Sequence, residues 1–307
     1  MKALSVYSGV GLVIMVLSEI LMLLRVEPFW SWHTPIAWTG YILFVDGLVL
    51  MRRGTSWLTS AWREFIFLAV LSIPLWLVFE FYNLFIHNWY YINLPESFFW
   101  RNFGYAWSFA TIWPAIFETS ELIATFRRPA TVDAARHSGQ PEPESVPCAA
   151  TPQLSRLAWI SIGAGALMLT WPLVRPSPYL AAPVWLGFIF LLDPFNAWRH
   201  AEAIGTYSIT RSTREGPHAS SGLSRHGRDR LINLCVAGVI CGVLWEFWNY
   251  WARTKWIYTV PILPEWKIFE MPVPGYLGFA AFAIECFTMY VAARHWIWWG
   301  SKRPIGL

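Results

Sequence analysis

WTGYILFVD, residues 38–46, returns as WLGFIFLLD, residues 185–193, each an apolar run closing on an aspartate. Further echoes follow in the same order. FEFYN at 79–83 answers to WEFWN at 245–249, the W-x-Y of Trp89 and Tyr91 to that of Trp256 and Tyr258, LPE at 94–96 to LPE at 263–265, and IFE at 116–118 to AIE at 283–285. Similarity recurring in a fixed order along the chain is the mark of a duplicated unit. The chain therefore reads as a tandem repeat.

The medium in which the repeat folds is set by composition. Of 307 residues, 56% are hydrophobic and only 14% charged, with 22 Trp and 21 Phe; an average soluble domain carries about 25% charged residues. A bilayer core of ~30 Å needs about 20 predominantly apolar residues per helix. Eight stretches meet that need, at about 4–24, 34–51, 64–85, 105–126, 156–174, 180–198, 230–251 and 274–294. The expected fold is all-α, a polytopic membrane protein with eight transmembrane helices as two parallel four-helix repeats. An even number of spans per copy inserts both copies in the same sense, related by an axis along the membrane normal.

The expected organisation is a first membrane repeat at 1–126, a flexible cytoplasmic linker at 127–154 and a second membrane repeat at 155–307. The linker is rich in Pro, Ala, Ser and charge and shows no periodicity, the signature of a flexible connection. Cationic loops stay on the cytoplasmic side, and 17 of the 23 Lys and Arg lie at the N-terminus, the C-tail and the loops after the second, fourth and sixth spans. This places both termini in the cytoplasm, in a multi-pass protein of a bacterial inner membrane. The first span begins like a secretory signal, but it contains Glu19 and no small-x-small cleavage pattern; it reads as a retained helix. The basic loop around 211–230 fits anionic membrane lipids, not nucleic acid. On the other side, residues 87–105 and 253–276 are aromatic and proline-rich, suited to the interface or to re-entrant caps.

Six carboxyls sit inside these apolar stretches at matched positions: Asp46, Glu80 and Glu118 in the first repeat, Asp193, Glu246 and Glu285 in the second. Ionisable side chains in hydrocarbon are costly, and they mark reaction centres or pathways. A carboxylic acid kept from water serves as a general acid, which is what protonating an alkene or epoxide requires. All six are candidate catalytic residues. His87 and Arg253 follow the outer glutamates by seven residues, on the same helix face, and are placed to hold them ionised. Asn83 and Asn249 recur three residues after those glutamates, and Phe81, Tyr82, Trp245, Trp248, Trp256 and Tyr258 surround them in sequence. With Glu270 of the Pro-flanked FEMPVPG stretch these are the candidate substrate-binding residues, their π-faces suited to cationic intermediates. Aromatic packing, and helix-to-helix hydrogen bonding by the acids, are the plainer readings of the same residues.

Absent motifs narrow the chemistry. There is no aspartate-rich diphosphate motif, P-loop, GxGxxG, HExxH or paired-histidine array, and the four cysteines, Cys148, Cys235, Cys241 and Cys286, have no zinc or disulfide spacing. No metal and no cofactor is expected. The partners expected are a lipophilic small-molecule substrate and membrane lipids; no protein partner is indicated.

Two tandem multi-helix units, each with W-x-Y, then LP and Glu, then an apolar helix closing on another Glu, resemble the membrane-bound lycopene cyclase domains of the heterodimeric bacterial and archaeal type. The residues that carry the resemblance are Trp89, Tyr91, Leu94, Pro95 and Glu96, and Trp256, Tyr258, Leu263, Pro264, Glu265, Glu270 and Glu285. The resemblance implies a reaction class, metal-free acid-initiated cyclisation, isomerisation or hydration of an isoprenoid lipid. Two other functions fit the same carboxyls: a proton-coupled transporter or channel, which needs a continuous water-filled path, and a membrane scaffold without catalysis, in which each acid is individually paired.

Overall fold

The computed structural model describes residues 6–127, 154–199, 203–204 and 225–297. All of the linker except its end residues, and most of the basic loop at 199–229, lie outside the described residues. The first half contains α1 (Val6–Leu23), α2 (His33–Arg53), a single turn α3 (Trp57–Ser60), α4 (Trp62–Ile86), strand β1 (Trp89–Ile92), α5 (Phe98–Ala110) and α6 (Ile112–Arg127). The second contains α7 (Arg156–Val174), a 3-10 turn (Pro178–Leu180), α8 (Ala181–Trp198), α9 (Arg225–Trp251), strands β2 (Lys255–Tyr258), β3 (Lys267–Ile268) and β4 (Met271–Pro272), and α10 (Gly275–Ile297). Among the described residues, seven helices are long and apolar enough to cross a membrane. Their outer faces are covered with exposed apolar residues, such as Val10, Val13 and Leu17 on α1 and Leu157, Ile160 and Leu167 on α7. A protein of this kind is an integral membrane protein.

The described residues are mostly helical, as expected of an all-α membrane fold, and the aromatic segments between spans add two short antiparallel pairs, β1 with β2 and β3 with β4. One expectation is corrected. The stretch expected as one span at 105–126 is two helices that break at Thr111. Pro114 has no N–H to offer the carbonyl one turn back, and its ring crowds that turn. The polar groups freed there must find partners inside the protein. Ser72 of α4 bridges the neighbouring pair, donating its hydroxyl to Phe109 O and accepting from Trp113 N at 3.3 Å, two groups that an unbroken helix would have bonded to each other.

The two halves pack their first helices alike. α1 crosses α2 with Gly11 against the Gly40 carbonyl, and α7 crosses α8 with Gly165 against the Gly187 carbonyl; a Cβ on Gly11 or Gly165 would collide with that backbone. Ser8 donates to Phe44 O at 3.0 Å and Ser161 to Phe190 O at 2.9 Å. Phe190 is the carbonyl that Pro194 leaves without its helical donor, so Ser161 repairs the helix that Pro194 interrupts.

The centre belongs to α6 and α10. Residues 112–121 are buried throughout, as is 282–292 apart from Ile284. Trp113 Nε1 donates to Cys286 O at 2.9 Å between these two helices. At one end of the bundle each central helix reaches into the other half. Arg127 of α6 contacts Asp229 of α9 at 3.1 Å, and Arg294 of α10 contacts Glu64 of α4 at 2.6 Å. At the other end β1 and β2 join the halves.

Candidate functional site

The W-x-Y segments pair with each other. Trp89 lies opposite Tyr258 and Tyr91 opposite Trp256. Side chains two apart on a strand share a face, so all four rings turn inward while Tyr90, half exposed, turns out. An asparagine holds each strand against the end of the preceding helix. Asn83 donates to Trp89 O at 2.8 Å and accepts from Asn88 N at 2.9 Å; Asn249 donates to Trp256 O and accepts from Trp256 N, both at 2.9 Å. These amides are spent on backbone and are not presented to a ligand. Asn249→Ala leaves a buried strand end without its donor and acceptor, at a cost of about 1–3 kcal/mol for each group left unsatisfied. The expected outcome is a lower unfolding midpoint in detergent, together with faster proteolysis at residues 253–262.

Beneath the sheet is a cavity of about 420 Å³. Its walls are Trp38, Trp76, Trp89, Trp185, Trp245 and Phe282, with Tyr91, Trp256 and Tyr258 above them. Phe282 stands at the centre of this cage, its ring centroid 5.8 Å from that of Trp76, 5.1 Å from Trp185 and 6.3 Å from Trp245. Because Trp38, Trp76 and Trp89 come from the first half and Trp185, Trp245 and Phe282 from the second, neither half makes the cavity alone.

Two carboxyls stand directly behind this wall. Glu80 Oε1 accepts from Tyr91 Oη at 2.5 Å, Trp76 Nε1 at 2.8 Å and Trp89 Nε1 at 3.2 Å. Glu246 Oε1 accepts from Tyr258 Oη at 2.9 Å, and Tyr258 Oη itself accepts from Trp256 Nε1 at 2.9 Å. Glu246 Oε2 is buried with no partner among the described residues. Burial above all, and then the negative field of Glu80, holds the Tyr91 phenol well above its usual range; burial and Glu246 do the same for Tyr258. Both tyrosines therefore remain hydroxyl donors at neutral pH.

The other four carboxyls lie elsewhere. Glu285 is three residues beyond Phe282 and Glu118 six beyond Ile112, about 4.5 and 9 Å deeper along their helices. Glu285 Oε1 accepts from Phe188 N at 3.3 Å. Glu118 lies beside Asp46 and Glu121, and neither of its oxygens has a hydrogen-bond partner among the described residues. The aspartates anchor loops. Asp46 accepts from Leu58 N at 3.0 Å, Ser56 Oγ at 2.8 Å and Tyr7 Oη at 2.7 Å, tying α3 and α1 to α2. Asp193 accepts from Ile204 N at 2.9 Å, the corresponding loop of the second half.

The expected binding residues divide as well. Trp245, Trp256 and Tyr258 line the cavity. Phe81 points outward, 47% exposed, on a helix that is apolar all round. Tyr82 packs on Phe188, outside the cavity lining. Trp248 gives its indole N–H to Glu19 at 2.7 Å and stacks edge-on against Trp38, one layer behind the wall. Glu270 neutralises Lys255 at 2.8 Å. Neither expected cation serves the outer glutamates: Arg253 pairs with Glu27 at 3.0 Å, and His87 closes α4 in a left-handed turn.

Sequence reasoning gave Glu19, Glu121 and Glu64 little or no weight. Glu121 is fully buried and ion-paired to Arg53. Glu19 and Glu64 each bind a side chain of the opposite half, Trp248 and Arg294. The signal available was only an acid within an apolar run, since the partners of Glu19 and Glu64 are more than 200 residues away and that of Glu121 is 68 residues away. Among the described residues no cluster of His, Cys, Asp and Glu is arranged to hold a metal ion. No family model, no curated protein and no solved structure matches this chain.

Proposed function

We propose that this protein is a membrane enzyme performing metal-free acid/base chemistry, a cyclisation, isomerisation or hydration, on an isoprenoid or similar lipophilic substrate held in the aromatic cavity. The observation that carries the reading is the pair of Tyr–Glu units, Tyr91–Glu80 and Tyr258–Glu246, brought to one cage of tryptophans by the strand pair. The tyrosine hydroxyls are the groups nearest the substrate, and the carboxyls behind them are the proton store. Glu246, with a single donor on Oε1 and an open Oε2, is built to hold a proton; in the forward step the Tyr258 hydroxyl turns from Oε1 to the substrate, gives its proton to a carbon–carbon double bond and takes the carboxyl proton of Glu246 in its place. Glu80, with three donors on one oxygen, is built to take a proton back through Tyr91 from the resulting cation. Loss at one pair and gain at the other leaves the total proton count of the enzyme unchanged after an isomerisation or cyclisation, and the cycle closes when the proton gained at Glu80 leaves it and Glu246 takes one up again. The indole faces stabilise positive charge in between.

The reaction class agrees with the resemblance to the membrane-bound lycopene cyclase domains, carried here by Trp89, Tyr91, Trp256 and Tyr258. The same reading takes the chain as two parallel four-helix repeats, one at 1–126 and one at 155–307, with both termini cytoplasmic in a bacterial inner membrane and the strand pair on the outer side. Support for that topology is the cationic bias of the loops and the repeated glycine crossings and loop-anchoring aspartates. A proton-coupled transporter needs a polar path from the cavity to the inner carboxyls. Trp113, Ile116 and Phe117, buried apolar residues that lie along α6 between the cavity-lining Ile112 and Glu118, favour the enzyme.

The test compares lipid extracts of cells with and without the protein by mass spectrometry, alongside liposomes holding the pure protein and an internal pH dye. The expected result is an isoprenoid product isomeric with, or one water heavier than, its precursor, and no proton flux. Proton flux without any altered lipid would overturn the proposal.

A further inference from the structure

The cavity wall contains no carboxylate, yet it contains two cations, Arg101 and Lys255. Lys255 is neutralised by Glu270 at 2.8 Å, donates to Tyr250 O at 3.2 Å and lies over the Tyr250 ring. Arg101 is different. It lies in the first turn of α5 and is only partly exposed, and its guanidinium has no ion pair and no hydrogen bond among the described residues; its field falls on Tyr105, another wall residue. Guanidinium is a planar array of donors matched to carboxylate and phosphate oxygens, and an uncompensated charge in an apolar membrane setting is costly to keep without a use.

The rim around Arg101 is apolar and exposed. Trp100, Tyr179, Ile262 and Leu277 all line the cavity, and they are 49%, 64%, 46% and 79% exposed. In a chain whose exposed faces meet lipid, such a rim opens the cavity to the membrane. The first turns of three long helices also border it, α2 through Thr34 and Pro35, α8 through Ala181 and Ala182, and α10 through Gly275. Their positive ends add to the attraction that Arg101 exerts on an anion.

We infer that the cavity draws its ligand from the membrane and takes a single-chain anionic amphiphile, with the hydrocarbon against the tryptophans and a carboxylate or monophosphate head on Arg101. This rests on the cavity being the substrate site proposed above, and it adds the head group. A volume of about 420 Å³ is near the lower end of the ~300–1,000 Å³ usual for small-molecule sites, which suits one chain and not the two chains of a bilayer phospholipid.

The test uses the full chain in nanodiscs of zwitterionic lipid and follows quenching of the cavity tryptophans by oleate, oleyl phosphate and oleyl alcohol. The expected result is that both anions bind about tenfold more tightly than the alcohol, that Arg101→Gln removes this preference while leaving alcohol binding intact, and that Arg101→Lys keeps part of it. Equal affinity of anions and alcohol in the wild-type protein overturns the inference, as does a preference that survives Arg101→Gln. Competition by phosphatidylglycerol as strong as that by oleate also overturns it, because the site would then hold a bilayer lipid. Absence of binding by all three single-chain ligands defeats the cavity reading itself, a result distinct from loss of the anion preference.

Discussion

Turnover of the lipophilic substrate is expected to fall by a factor of about 10²–10⁴ in Glu246→Gln, the range usual for loss of a positioned general acid or base. Glutamine has the same shape, and its oxygen still accepts from Tyr258, so the strand stays docked and the cavity keeps its form. What is lost is the carboxyl proton that replaces the one Tyr258 gives to the substrate. Glu80→Gln is expected to fall in the same range, because its amide oxygen still accepts from Trp76, Trp89 and Tyr91 but no longer stores a proton. Neither side chain lines the cavity, so the loss should appear in kcat with KM little changed. Tyr258→Phe separates relay from store: it leaves Glu246 titratable but removes the hydroxyl that connects it to the substrate, and turnover should drop as in Glu246→Gln. Product per milligram of protein in membranes, from wild type and each variant, is the measurement. If Glu80→Gln, Glu246→Gln and their combination all stay within twofold of wild type, the Tyr–Glu units do not carry the chemistry.

Both Tyr–Glu units share one arrangement but not one environment, and on the proposed function this asymmetry separates a proton donor from a proton acceptor. Trp89 donates directly to Glu80, whereas its counterpart Trp256 donates to Tyr258. The shift of one indole changes which oxygen is stabilised, the carboxylate in the first half and the phenol in the second. A reaction that begins by giving a proton and ends by taking one needs two such unlike sites close together. The pairing of β1 with β2 brings the two unlike units to one interface.

The seven long helices were legible because a span needs little more than length and apolarity, and the outer Glu80 and Glu246 because the motif around each is repeated. The faces of the helices were not. α4 is apolar all round, so nothing in its sequence separates Phe81, which faces outward, from Phe79, which is fully buried. The strand pair was illegible for another reason: W-x-Y alternation is visible in each copy, but its partner lies 167 residues away, and only the fold joins Trp89 to Tyr258. Six matched acids suggested one chamber. Their partners separate them, because Asp46 and Asp193 accept from loop backbone and only Glu80 and Glu246 stand behind the tyrosines. The break at Thr111 had a visible cause in Pro114, yet whether a proline kinks or divides a helix depends on a neighbour such as Ser72.

The largest effect on stability is expected at the end of the bundle opposite the strand pair, away from the cavity. Arg53 pairs with Glu121, whose side chain is fully buried, and Asp46 and Glu118 stand close by. One guanidinium thus serves a group of three acids. Its removal in Arg53→Met leaves Glu121 without a counter-charge in a site closed to water, and breaking a buried pair in this way costs about 3–5 kcal/mol. Replacing both partners by apolar residues of similar size is often neutral or stabilising, so Arg53→Met combined with Glu121→Leu should recover most of the loss. Glu121→Leu alone should be destabilised less than Arg53→Met, since the guanidinium it leaves behind is 12% exposed and flanked by Asp46 and Glu118, whereas Glu121 itself is sealed. Equilibrium unfolding of the purified chain in mixed micelles reads all three variants. A loss below about 1 kcal/mol in Arg53→Met, the level of an exposed pair, would show that the acids near it are held by something other than this cation. Ligand binding in the cavity should survive in every folded variant, because Trp113, Phe117 and Phe282 separate the two sites; a cavity whose affinity moved with Arg53 would instead mean that the inner acids and the tryptophan cage act as one system.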